Sequence, residues 1–149
     1  MLKSDMFRSR IGEIIGRWSP LALRLIVGFG FMVHGWAKLS RGPDKFARVV
    51  EWIGFPMPHF FAWLTTIAEL VTGFAMFIGA FVTLMTIPML TILLVAMFSV
   101  HLQYGFFMNW YGQQPGEGFE YHLLAIGLAI IVMIRGGGYF SLDRKISLK

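Results

Sequence analysis

The run LMTIPMLTILLVAMFSV, Leu84 to Val100, contains no charged residue. A segment this long and this apolar belongs in a protein core or in a bilayer, and composition decides between the two. The chain of 149 residues is 56% hydrophobic, 16% aromatic and 14% charged, against ~25% charged in an ordinary soluble domain. One domain of this size cannot bury so many apolar side chains in its own core, so the surplus must meet hydrocarbon. The expectation is an all-α integral membrane protein, a single membrane domain over residues 1–149 in contact with membrane lipid.

Four spans are predicted, over about 21–39, 59–81, 84–104 and 118–134. The first three are long enough to cross a hydrocarbon core of ~30 Å at ~1.5 Å per residue, and the fourth is the shortest. Pro88 falls in the first turns of the third, where a missing N–H costs least. Ahead of the first span, Ile11, Ile14, Ile15 and Trp18 follow helical spacing, with Arg10, Glu13 and Arg17 elsewhere on the wheel. This predicts a short amphipathic surface helix, with Pro20 resetting the chain after it. The opening segment has no uninterrupted apolar stretch and no small-residue cleavage site, so a removable signal peptide is not expected. The first loop, RGPDKFARVVEWIGFPMP, is expected to be partly helical, with Phe46, Val49, Val50 and Ile53 as its apolar stripe.

Charge sets the expected orientation. The formal charge is +5, and Lys and Arg concentrate in the two tails: Lys3, Arg8, Arg10 and Arg17 at one end, Arg135, Arg144, Lys145 and Lys149 at the other. The loop before the fourth span has none, although Arg41, Lys45 and Arg48 in the first loop oppose the trend. Both termini are therefore read as cytoplasmic. The same placement argues against nucleic acid as a partner. The absence of cysteine excludes disulfides, thiol nucleophiles and cysteine-held clusters.

Ionisable residues inside a span cost several kcal/mol unless paired or wetted, so they are the informative ones. Arg24, His34, Lys38, Glu69, His101, Glu120 and His122 lie in the spans or at their edges. Counting depth from the span ends places His34, Lys38, His101, Glu120 and His122 in one half of the membrane, Glu69 near its middle and Arg24 near the cytoplasmic side. At 100° per residue, Arg24, Gly28, Phe31, Gly35 and Lys38 share a face of the first span; Thr65, Glu69, Thr72, Gly73 and Met76 share one on the second. Both faces should point inward, the glycines allowing close approach.

Each residue also has a plainer reading. Glu69 could pair structurally with Arg24 or Lys38; Lys38 could snorkel to the interface; Arg24 and His122 are read as structural or headgroup-facing. Imidazole with carboxylate suits a transition metal, with His34, Glu69, His101 and Glu120 as the ligand set. It equally suits a quinone site, where His34 or His101 bonds the carbonyl oxygen. No local metal motif is present, so any ligand set must be assembled across helices.

The segments LRLIVGFGFMVHGWAKL, TTIAELVTG, SVHLQYGFF, GEGFEYHLL and IRGGGYFSLD, in this order, resemble the DoxX family of small bacterial membrane proteins. The resemblance covers roughly Leu23 to Asp143 and implies a four-helix protein of the bacterial inner membrane. It places Arg24, His34, Lys38, Glu69, His101, Glu120 and Asp143 in the family's polar pattern. It further implies association with quinol, thiosulfate and stress redox chemistry. The expected function is thus a redox-linked membrane subunit with a quinone or metal in a polar pocket of His34, Lys38, Glu69, His101 and Glu120. Glu69 and Glu120 would handle protons, Lys38 would balance charge, and a redox partner protein would supply electrons. The alternatives are a small transporter and a non-catalytic anchor for a soluble oxidoreductase.

Overall fold

In the computed structural model the described residues are 2–147, with side chains from residue 9 onward. Lys3, Arg8 and Lys149, used in the charge reading, lie outside the described side chains. The regular elements of the described residues are all helical, with no strand. Helix α1 runs Leu2–Arg41, α2 Pro43–Trp52, α3 Pro58–Ile78 and α4 Val82–Ala96. A π-helical turn, Met97–His101, and a 3-10 turn, Leu102–Tyr104, extend α4; α5 spans Glu120–Arg135 and α6 Leu142–Ser147.

Among the described residues three stretches are long and apolar enough to cross a membrane: Ser9–Arg41, Pro58–Ile78 and Val82–Tyr104. Their apolar surface faces outward. Ile26, Phe29 and Trp36 on α1, Ile67, Val71 and Phe74 on α3, and Leu84 and Ile87 on α4 are all exposed, the reverse of a soluble protein and the arrangement a lipid environment rewards. Inside the spans, the hydroxyls of Thr66, Thr72 and Thr86 donate to the carbonyls four residues earlier, at 2.7 Å each. Their polarity is thereby satisfied without water. Helix α5, with 16 residues, reaches about 24 Å at ~1.5 Å per residue, less than the ~30 Å core. It packs beside α4 and α1.

Two expectations are corrected. The N-terminal helix is not a separate short element: α1 continues through Pro20 for 40 residues. Pro20 is buried, and a Cβ built on Gly138 would stand 2.7 Å from its Cβ. The C-terminal turn therefore packs against the proline ring, and packing there holds the helix across the one backbone bond that proline removes. The stripe Ile11, Ile14, Ile15 and Trp18 is exposed as its spacing predicts. Pro88 is the seventh residue of α4, which begins at Val82. It lies beyond the four N–H groups that a helix start leaves free, so the Leu84 carbonyl loses its usual donor.

The loop helix α2 is present, burying Pro43, Ala47 and Val50 against Ala62, Phe46, Phe55 and Phe61. The main core comprises Val27, Phe31, Met76, Val82, Met89, Leu93 and Val132, drawn from α1, α3, α4 and α5.

Helices α1 and α3 run antiparallel at unusually short range. A Cβ on Gly28 would sit 2.8 Å from the Gly73 carbonyl oxygen, and one on Gly73 would sit 2.7 Å from the Met32 nitrogen. Backbone thus lies directly on backbone, in the manner of small-residue membrane contacts. Further along, a Cβ on Gly35 would meet Leu70 Cγ at 2.8 Å and Glu69 Cβ at 3.1 Å. The inward faces counted from the sequence are the faces in contact.

Candidate functional site

The antiparallel register of α1 on α3 fixes the first polar pair. Gly35 brings the helices close, and one turn later Lys38 Nζ meets Glu69 Oε1 at 2.6 Å. Lys38 does not snorkel: its side chain is mostly buried, and its ammonium group lies 4.2 Å from the centroid of the Phe46 ring, a cation–π contact. Glu69 is 5% exposed. Its second oxygen, Oε2, is buried without a hydrogen-bond partner.

A second group stands on α1, the π turn and α5. The rings of His101 and His122 stack with centroids 4.1 Å apart. His34 lies 5.9 Å from Tyr121, and Tyr121 lies 5.6 Å from His122, edge-on. His34 and His101 both lie within electrostatic range of His122, and Glu69 within range of Tyr121. His101 Nδ1 is 2.7 Å from the Glu117 carbonyl oxygen. A carbonyl only accepts, so Nδ1 carries the proton, and in the neutral ring Nε2 is the lone-pair nitrogen. His122 is buried, and its Nδ1 has no partner.

The expectation for His122 is therefore corrected. It faces the other histidines rather than headgroups. Its position at a helix start concealed this, because the sequence gives no sign of which way the first turn of α5 is rotated. Tyr121 is likewise part of the group. A nearby signal did exist: His122 follows Glu120 and Tyr121 at a depth matching His101.

Glu120 has a different task. Its Oε2 accepts from the Met108 backbone N–H at 3.2 Å, as Glu117 Oε2 accepts from Asn109 at 2.7 Å. The two carboxylates fold the loop over the histidines. Gly118 is enclosed by that loop, a Cβ there lying 2.3 Å from the Phe107 carbonyl oxygen. Among the described residues no three His, Asp or Glu side chains are grouped so as to hold a metal ion. His34, Glu69, His101 and Glu120 are thus not gathered into one ligand shell.

A small apolar crevice of about 70 Å³ lies between α1 and α5. Ile26, Val27, Gly30, Phe31 and Ala125 line it, and Tyr121 closes one end.

At the far end of α1, Arg24 is 2% exposed and binds only backbone. Nε donates to Gly137 O at 2.9 Å, and one terminal nitrogen donates to Met76 O at 3.1 Å and to Phe77 O. The other donates to Tyr139 O and Phe140 O at 3.2 and 3.1 Å. All five guanidinium donors are used, tying the last turn of α3 to the segment after α5. Asp143 completes this end. Its oxygens accept from the N–H groups of Phe81 and Val82 at 2.6 and 2.9 Å. That caps α4, whose N-cap residue Phe81 is held at φ 50°. Arg24 and Asp143 are structural.

Comparison with known proteins identifies the family. The DoxX family model matches residues 19–102, which include Arg24, His34, Lys38, Glu69 and His101. The chain belongs to the DoxX family. A relative from Mycobacterium tuberculosis, the uncharacterised membrane protein Rv3486, is 30% identical over 139 residues, covering 87% of this chain and 82% of the relative. No solved structure matches the chain. The DoxX match ends just past His101, so Tyr121 and His122, which complete the histidine group, lie outside it.

Proposed function

We propose that this DoxX protein is a redox-linked membrane subunit that holds a quinone head beside His101, His122, His34 and Tyr121. The observation that carries the reading is the buried, unpartnered Nδ1 of His122 within a stack of two imidazoles. A buried polar atom left without a partner costs about 1–3 kcal/mol, and a bound acceptor or donor would recover it.

A bound quinone would supply two-electron, two-proton chemistry. The protein's own groups hold and move protons around it. His101, oriented by Glu117 O, presents Nε2 as an acceptor. Glu69 Oε2 is a proton acceptor held close by, and Lys38 balances its charge. With no cysteine in the chain, electrons would come from a partner protein. In this reading α5 serves as a fourth crossing, both termini face the cytoplasm, and the membrane is a bacterial inner membrane.

The test is to purify the protein in mild detergent and measure co-extracted quinone, then titrate a short-chain ubiquinone analogue by tryptophan fluorescence. His122→Phe and His101→Ala should retain the fold and lose binding by tenfold or more, an order-of-magnitude expectation for one lost hydrogen bond to a buried group. Equal affinity in wild type and both variants would sink the quinone reading.

A further inference from the structure

At the opposite end from the histidines, a cleft of about 490 Å³ opens between α1, the end of α5 and the C-terminal turn. This lies within the ~300–1,000 Å³ of small-molecule sites. Three arginines border it: Arg17 from α1, Arg135 from the last turn of α5 and Arg144 from α6. Among the described residues none of the three forms an ion pair with a carboxylate. The Arg144 guanidinium carbon lies 4.3 Å from the centroid of the Tyr139 ring, a cation–π contact. The cleft's wall does contain one carboxylate, Asp143, but both its oxygens are engaged by the backbone of Phe81 and Val82. Three cations thus border a space with one carboxylate in its wall, so the lining is net positive.

The level of the cleft indicates what fills it. Trp18 packs on Tyr139 and Phe140 at 5.5 and 6.1 Å, and Trp and Tyr mark the headgroup zone of a membrane protein. Guanidinium groups bind phosphate oxygens in a planar, two-pronged fashion. Basic pockets between helices at this level receive anionic lipid headgroups.

We propose that this cleft binds the phosphate of an anionic phospholipid headgroup, with Arg17, Arg135 and Arg144 as its donors. The inference does not rest on the quinone reading, because none of the three arginines belongs to the histidine group.

The full chain, reconstituted in nanodiscs of phosphatidylglycerol and phosphatidylcholine, is examined by native mass spectrometry for retained phosphatidylglycerol. The variant R17Q/R135Q/R144Q should retain roughly tenfold less or lower still, each charge near an anionic surface contributing substantially. R41Q/R48Q, at the other end of the chain's helices, should retain as much as wild type. R17Q alone, on an exposed position, should show a partial loss and guards against misfolding of the triple variant. Inorganic phosphate added to detergent-solubilised protein separates the two sources of the same chemistry. Displacement of the lipid by phosphate supports the proposal, and binding of phosphate with no retained lipid overturns it in favour of a soluble anion. Equal retention by wild type and the triple variant, or equal loss in R41Q/R48Q, overturns it outright.

Discussion

Arg24 and His122 are both buried polar residues of the same small molecule, yet their surroundings differ in kind. Around Arg24 all five donors meet carbonyls, and the neighbouring Asp143 has both oxygens bonded. Around His122 the polar capacity is left open: its own Nδ1 is buried with nothing to bond, as is Glu69 Oε2 on α3. In a bilayer every unmet polar group is costly, so the first arrangement is what stability alone would select. The second keeps a cost that stability would remove. The contrast separates a buried group whose every donor holds helices together from one whose bonding capacity is unmet.

Substitutions should separate the two ends by sign as well as size. Arg24→Ala takes a donor from five carbonyls in two segments and should cost at least ~3 kcal/mol, read as loss of folded protein by size-exclusion chromatography and thermal unfolding in detergent. Arg24→Lys, with three donors, should fall between that variant and wild type. Next in size, Gly73→Val pushes a side chain into the Met32 and Gly28 backbone and should cost ~1–3 kcal/mol. By parting α1 and α3 it should also loosen the Lys38–Glu69 pair and weaken quinone binding. Asp143→Ala removes the cap of α4 and should cost ~0.5–2 kcal/mol, with quinone affinity unchanged. His122→Phe should have the smallest effect on stability, neutral or stabilising by up to ~1 kcal/mol, because a ring of similar shape replaces an unsatisfied nitrogen. A thermal midpoint for His122→Phe that drops as far as that of Arg24→Ala would erase the distinction between the ends.

The parts of this arrangement that follow simple periodicity are legible in the sequence. Apolar length located the three membrane-crossing helices, and the 100° count put Gly28, Gly35 and Glu69 on the faces that meet. The pairing of Glu69 was left between Arg24 and Lys38, since angle alone does not give the axial register of two helices. The backbone contact of Gly28 on Gly73 sets that register and selects Lys38. Pro20 was read as a break because the local rule is strong; the C-terminal turn packed on its ring lies more than a hundred residues away in sequence. His122 was set aside for a similar reason. Which way α5 begins to turn depends on Glu117 and Glu120 folding the preceding loop onto their own backbone targets, and no residue pattern announces that.

The π turn at Met97–His101 has a consequence for how the third crossing is built. One residue more than an α-helix would use advances the helical phase by about 100°, so residues on either side of it obey different face assignments. Val82, Thr86, Met89 and Leu93 of α4 keep one phase toward the core, and His101 is delivered on another, toward His122. Deleting Ser99 should restore a uniform phase and swing the imidazole away from its partner by roughly that angle. The lipid-facing pattern of α4 before the deletion would stay as it is. The extra residue works as a phase shifter, letting one helix serve two inward directions.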